Sequence, residues 1–449
     1  MKSIRIGLIV ALSVMAFGLC GILVYGMAGG DIFRVGARQS YSNAQLVLEK
    51  EIPLDGIESI SVLYGMNSND IYLYESEKDV IIVREYSSSE MSEKELSAVK
   101  VNNNFLEIKG ARRNYGSFGF HLFGFNGGYY NRHYTEVYLP ASYRGELLLE
   151  TSSGDIISEL DINSEKDVSV TSTSGDVEFP SVTADNVSVN TSSGYVEMDK
   201  IAAGADQSVG VISINTSSGD VKLGELAGKI NIESSSGYLT LGTITGDTQL
   251  GTSSGDININ EITGETKTES SSGCLTIGTL TGNAQLKTTS GDVEVRCADG
   301  DIQIMTNSGT VKIPEGSGSR TISTSSGNIV AGSTAGSFQI KSQSGDVQAT
   351  IQKGEGSLET TSGDVQLSLE ELAGTLNINS SSGYVDITLS DNNEFEFMTS
   401  TTSGDIMTFF DNDLTFSSRR NHAQGIHGAN EQGNRIEIQT TSGDVRISK

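Results

Sequence analysis

Thr216-Ser-Ser-Gly-Asp-Val-Lys-Leu-Gly-Glu-Leu-Ala-Gly-Lys-Ile-Asn-Ile-Glu233 is followed at once by Ser234-Ser-Ser-Gly-Tyr-Leu239, and the pattern returns every 18 residues. Gly219, Gly237, Gly255, Gly273, Gly291, Gly309, Gly327, Gly345 and Gly363 hold this spacing without exception. A second glycine column lies nine residues on, from Gly228 and Gly246 through to Gly354. Apolar residues stand two and four places after the first glycine, as in Val221 and Leu223 or Ile257 and Ile259. They often do the same after the second, as in Ile230 and Ile232. Alternation of apolar and polar residues at period two marks short strands with one buried face. Repetition in strict register predicts an all-β chain, a parallel β-solenoid (β-helix) with 18-residue coils of two nine-residue halves. Antiparallel hairpins would give the same number of strands, but nothing would then hold identical turns in identical columns. Glycine in each turn is read as permitting positive φ without a Cβ clash.

Outward from this block the motif continues with irregular spacing, back to Gly154 and on to Gly443. Residues 151–410 read as the repeat solenoid, and 411–449 as a loop followed by closing strands. Residues 46–150 read as a β-rich N-terminal part of the same solenoid, and Ser92 with Glu95 offers a capping box for a short helix. Lys2 and Arg5 precede an uncharged run, strongly apolar from residue 6 to 27. That is about the length needed to cross a bilayer, so residues 1–30 are predicted to be one N-terminal transmembrane helix or signal peptide, with 31–45 a linker. Charge placement puts the bulk of the chain outside the cytoplasm.

Composition narrows the function. The chain has 449 residues with 52 glycines but only 4 prolines, which excludes collagen and disordered Pro-rich chains. A net charge of −27 excludes a nucleic-acid binder. Cys274 and Cys297 are too few for a disulfide framework. His121, His133, His422 and His427 have no metal-ligand spacing. Sugar-cleaving β-helices use paired carboxylates set in long loops. The regular block has no loop longer than a turn, so the chain is read as non-enzymatic and without a cofactor.

Two features ask for a role. The place after the first glycine is often aspartate, and Asp220, Asp256, Asp292, Asp346 and Asp364 form a candidate calcium ladder. Calcium wants six or more oxygens, and the competing reading is that these carboxylates accept backbone N–H bonds in the turns. The second feature is an aromatic segment at 115–134, with Tyr115, Phe118, Phe120, Phe123, Phe125, Tyr129 and Tyr130 as candidate partner or membrane contacts.

Tyr138-Leu139-Pro140, Ser-Ser-Gly-Asp-Ile at 152–156 and the many Ser-Gly-Asp-Val copies behind a membrane leader resemble the bacterial "putative adhesin" family of β-strand-repeat proteins. That resemblance spans roughly residues 55–449. It implies the solenoid fold and a surface or cell-envelope role, and it supplies no catalytic residues. The expected function is a membrane-anchored extracytoplasmic adhesin or cell-envelope scaffold. It would contact cell-wall polymer, matrix or an envelope protein, and hold the membrane through residues 6–27. The alternatives are an accessory protein of an envelope stress response with a membrane partner, and a calcium-binding β-roll.

Overall fold

Val221, Leu239, Ile257, Leu275 and Val293 lie one above another in a parallel ladder, and the ladder continues through Val311, Ile329, Val347, Val365 and Val385. The structure is a computed structural model that describes residues 44–65, 68–111, 133–204 and 210–449. Leu46–Lys449 is one compact unit. Among the described residues there are 38 strands and a single three-residue 3-10 helix, and each coil stacks in parallel on the next. Adjacent coils are thus ~4.8 Å apart.

Within one coil the chain makes three inward-facing runs where the sequence suggested two halves. Val221 and Leu223 face in, Gly224 and Glu225 both turn out, and Leu226 faces in again. Ile230, Ile232 and Ser234 face in after the second glycine. The residue seven places after the first glycine therefore forms a third buried ladder, Leu226, Ile244, Ile262, Leu280 and Ala298. Its position is out of phase with period-two alternation, which hides it from a strand pattern.

The two glycine columns are conserved along the chain for different physical reasons. Only the second has positive φ, from Gly228 (+138°) through Gly264 (+139°) and Gly300 (+141°) to Gly336 (+139°), and Gly354 lacks it. The first column has none, contrary to expectation. There the coils approach so closely that a Cβ on Gly273 would sit 1.9 Å from the Gly255 carbonyl oxygen. Its backbone N–H is taken by the hydroxyl three residues earlier, as in Gly273 N to Ser270 Oγ at 3.0 Å. That explains the Thr/Ser at the head of the turns from Gly154 to Gly327, whereas the hydroxyls of Ser342, Thr360, Ser380 and Thr440 make no such bond.

Side-chain volumes compensate between coils. Arg320 occupies an inward position between Ile302 and Phe338 and is 1% exposed. The third ladder shrinks beside it, from Leu280 to Ala298 to Gly316. The guanidinium donates to the carbonyls of Ala298 (2.7 Å) and Gly300 (2.8 Å). Burial lowers its pKa, while Asp299 and Asp301 act in the opposite direction.

Both ends of the stack depart from sequence order. The first coil, Ser59–Tyr64 with Asp70–Ser76, does not end the solenoid. It lies between Phe105–Lys109/His133–Pro140 on one side and Glu146–Thr151/Ile156–Ser158 on the other. The last coil, Arg435–Ser442 with Val445–Ser448, is likewise inserted between the coil ending at Leu389 and Phe395–Ser403/Ile406–Thr408. Antiparallel strands then close each end: Val80–Ser87 and Ala98–Asn102 at one, His422–His427 and Leu414–Phe416 at the other. Gln45–Pro53 pairs on Val80–Ser87, and the antiparallel strands break the coil-on-coil pattern at each end. The segment read as a loop at 411–434 is mostly this cap. Phe395, Phe397 and Phe410 plug it, packed edge-on at 5.3 to 6.5 Å. Only the carboxylate half of the capping box forms, with Glu95 accepting from Ser92 N at 2.8 Å and Oγ at 2.6 Å while Glu95 N bonds the Ser92 carbonyl at 2.9 Å; this closes a turn and no helix follows.

Candidate functional site

The aspartate column is a device for joining coils. Asp220 Oδ1 accepts the Tyr238 N–H at 2.9 Å, Asp256 the Cys274 N–H at 2.9 Å and Asp292 the Thr310 N–H at 2.7 Å. Asp346 and Asp364 do the same for Asp364 (3.0 Å) and Tyr384 (2.8 Å). Each acceptor lies one coil from its donor, so the bond runs along the stack and not within the turn. A carboxylate in one coil meets the need of the next, which lets Tyr, Cys or Thr follow it. Among the described residues no three His, Cys, Asp or Glu side chains converge on a common point suited to a metal ion. Cys274 and Cys297 are both free thiols.

Tyr115, Phe118, Phe120, Phe123, Phe125, Tyr129 and Tyr130 lie outside the described residues, as does the apolar run at 6–27. Among the described residues no helix is long and apolar enough to cross a membrane. Tyr134, at the end of the aromatic segment, is described, and it belongs to a tyrosine-rich sheet face that sequence reading did not find. Tyr134 stacks on Tyr86 at 4.6 Å and meets Tyr72 edge-on at 5.8 Å. Tyr74 packs on Tyr138 at 5.3 Å, and Arg84 lies 5.0 Å above the Tyr138 ring. The side chains come from three strands, Asp70–Ser76, His133–Pro140 and Val80–Ser87, which only the folded chain brings together. Burial first, then the Glu136 carboxylate, pushes the Tyr86 hydroxyl up to about 12.

Two concave features mark the lateral surface. A groove of about 360 Å³ runs across successive coils over Thr240, Asn258 and Thr276, its shoulder lowered by Gly224, Gly242 and Gly278. The Glu197–Lys222 ion pair at 2.7 Å lies at one end and Arg296 at the other.

The larger feature, a cleft of about 550 Å³, forms where the 18-residue spacing fails. Two extra residues enter the coil after Gly363, and the register slips from Gly354↔Leu372 to Gly356↔Leu376. Two asparagines fasten the resulting bulge. Asn393 Oδ1 accepts from Leu372 N at 2.7 Å, while its amide nitrogen donates to Glu370 O (2.8 Å) and Ser390 O (3.0 Å). Asn434 Oδ1 accepts from Gly374 N at 2.9 Å. Both side chains are about nineteen-twentieths buried, at 6% and 5% exposure. The cleft between them presents exposed Gln352, Glu370, Asn392 and Gln432. The Lys353–Glu371 ion pair at 2.6 Å lies on its wall. The sequence signal for this site was the 20-residue gap between Gly363 and Gly383, visible only as a break in rhythm.

A stack of parallel β-coils, sealed at both ends and carrying its polar chemistry on the outside, defines the class: a single-unit β-solenoid. The family model described as Toastrack DUF4097 matches residues 57–260, 242–329 and 317–448, and the chain belongs to that family. No curated protein matches the chain. A solved structure of a putative cell adhesion protein from Clostridium sporogenes aligns over 90% of this chain and 99% of its own, with 7% identity and a TM-score of 0.17.

Proposed function

We propose that the protein is a non-enzymatic, membrane-anchored extracytoplasmic solenoid that serves as an adhesin or cell-envelope scaffold. The observation that supports this reading is the lateral surface. Outward residues repeat in register from coil to coil, as in Ser188, Ser213 and Asn231 or Lys222, Thr240 and Asn258. Such a surface offers hydroxyl, amide and carboxylate groups in rows ~4.8 Å apart, suited to many weak contacts with an extended polymer. The acidic balance favours neutral or cationic partners and disfavours polyphosphate chains.

The reading is tested by cross-linking and capture of the full-length protein from envelope extract, with identification of what is retained. Retention of cell-wall polymer or surface protein supports it. Protease shaving of intact cells and membrane fractionation test the anchor and the side on which the solenoid stands. Turnover on a panel of glycans, lost with a single carboxylate substitution, would replace the scaffold reading with an enzymatic one.

A further inference from the structure

We infer that the cleft at the register slip is a binding site for a neutral, hydroxyl-rich glycan. The inference rests on the adhesin reading and names the ligand class of one site within it. The cleft volume of about 550 Å³ lies within the range of ligand pockets. Its chemistry is set by which polar groups are already committed. Glu371 is held by Lys353 at 2.6 Å, and Glu394 accepts the Asn430 N–H at 3.0 Å. Asn393 and Asn434 are spent on the backbone. What faces the cleft with unspent capacity is the primary amides of Gln352 and Asn392, the amide nitrogen of Gln432 (its oxygen accepts from Asn434 Nδ2 at 3.4 Å), the Ser390 hydroxyl and one carboxylate, Glu370.

Each amide both donates and accepts, and a carboxylate accepts. Sugar hydroxyls also both donate and accept, so a polyhydroxyl ligand can satisfy every one of these groups. Other classes fit less well. The sole apolar lining residue, Leu372, is 1% exposed, so there is no greasy wall for an acyl chain. Three glutamates against one lysine repel phosphate and uronate. A basic peptide finds only one uncommitted carboxylate and three amides that add nothing to its charge. The walls are also built to persist, since the two buried asparagines pin the bulge from both sides. Preorganisation of this kind lowers the cost of binding.

The test uses the full-length protein in detergent micelles, titrated with chitotriose and cellotriose as neutral probes, oligogalacturonate as an acidic probe and oligolysine as a basic one. Saturable binding of a neutral probe is expected, weakened at least tenfold in the Gln352→Ala/Asn392→Ala double variant. These side chains make no bond that holds the bulge, and circular dichroism and melting temperature check that the fold is unchanged. Asn215→Ala, on a distant coil, is expected to leave affinity unaltered. No saturable neutral-glycan binding, neutral-glycan binding that the double variant leaves intact, or tighter binding of oligolysine would each overturn the assignment. Adhesion of protein-coated beads to envelope polymer separates the two levels. If adhesion survives the double variant, the cleft assignment falls while the adhesin reading stands.

Discussion

The close approach of coils at the first glycine column makes a sharp prediction for Gly273→Ala. A Cβ there would meet the Gly255 oxygen at 1.9 Å, its carbonyl carbon at 2.6 Å and Asp256 N at 3.2 Å. These are backbone atoms in a continuous stack, so neither partner can rotate away. Relief requires the two coils to part by about 1 Å, enough to forfeit a quarter to a half of the local dispersion energy. Four bonds cross or close this point: Ile257 N to Cys274 O (2.9 Å), Ser272 N to Ser253 O (3.0 Å), Cys274 N to Asp256 Oδ1 (2.9 Å) and Gly273 N to Ser270 Oγ (3.0 Å). At about 1 kcal/mol each, the loss is about 3–4 kcal/mol. Gly251→Ala is the matched control. Its new Cβ would find only Glu233 Cγ, at 3.8 Å, and glycine-to-alanine at a compatible site stabilises by about 0.4–1 kcal/mol. Denaturant unfolding followed by circular dichroism measures both. Hydrogen exchange should show the damage confined to the coils around residues 255–291, because each coil touches only its neighbours. If Gly273→Ala lies within about 1 kcal/mol of Gly251→Ala, the close-stacking account of the repeat is wrong.

Three further outcomes are expected. Burial raises the Asp155 pKa, with a further push from the Asp176 charge and a partial reversal by the Asp176 N–H; its stabilising effect is present below about pH 4 and lost as pH rises through the raised folded value. Asp155→Asn should therefore remove that part of the pH dependence while keeping the acceptor, as Asn328 does for Asp346 N at 3.0 Å, and an unchanged pH–stability curve would refute it. The raised hydroxyl of Tyr86, about 12 when folded against 10 unfolded, stabilises below pH 10 and ceases to do so as pH passes through about 12; Tyr86→Phe should make the N-terminal end measurably more resistant to alkali by hydrogen exchange. Deleting 435–449 removes a coil paired on both sides, whereas deleting 391–449 removes the whole end and leaves Val385–Leu389 as an edge; limited proteolysis should find the shorter deletion the less stable of the two.

Much of the solenoid was legible in residues alone. A fixed 18-residue glycine spacing with apolar residues at two and four identifies stacked coils, because like positions must pack on like positions. The inward ladders Val221 to Val365 and Ile214 to Leu358 follow directly from it. The third ladder through Leu226 was less legible, since two consecutive outward residues shift its phase. The cleft was less legible still: its lining is drawn from residues 352 to 434, and none of its amides belongs to a motif.

By itself the sequence determined the coil, its length and two of its three inward runs, since these depend on neighbours a fixed 18 residues away. Tertiary structure alone decided what happens where that spacing lapses. Thr375 pairs with Arg435 and Ser59 with Glu146, partners 60 and 87 residues apart in the chain. No periodicity links them. The choice is made by the exposed edges of the terminal coils, whose unpaired backbone groups are satisfied by taking in the first and last coils of the chain. The glycine columns divide in the same way. Their spacing is a fact of sequence, but whether a glycine is there for positive φ or for want of room beside a carbonyl is settled only once one coil rests on another.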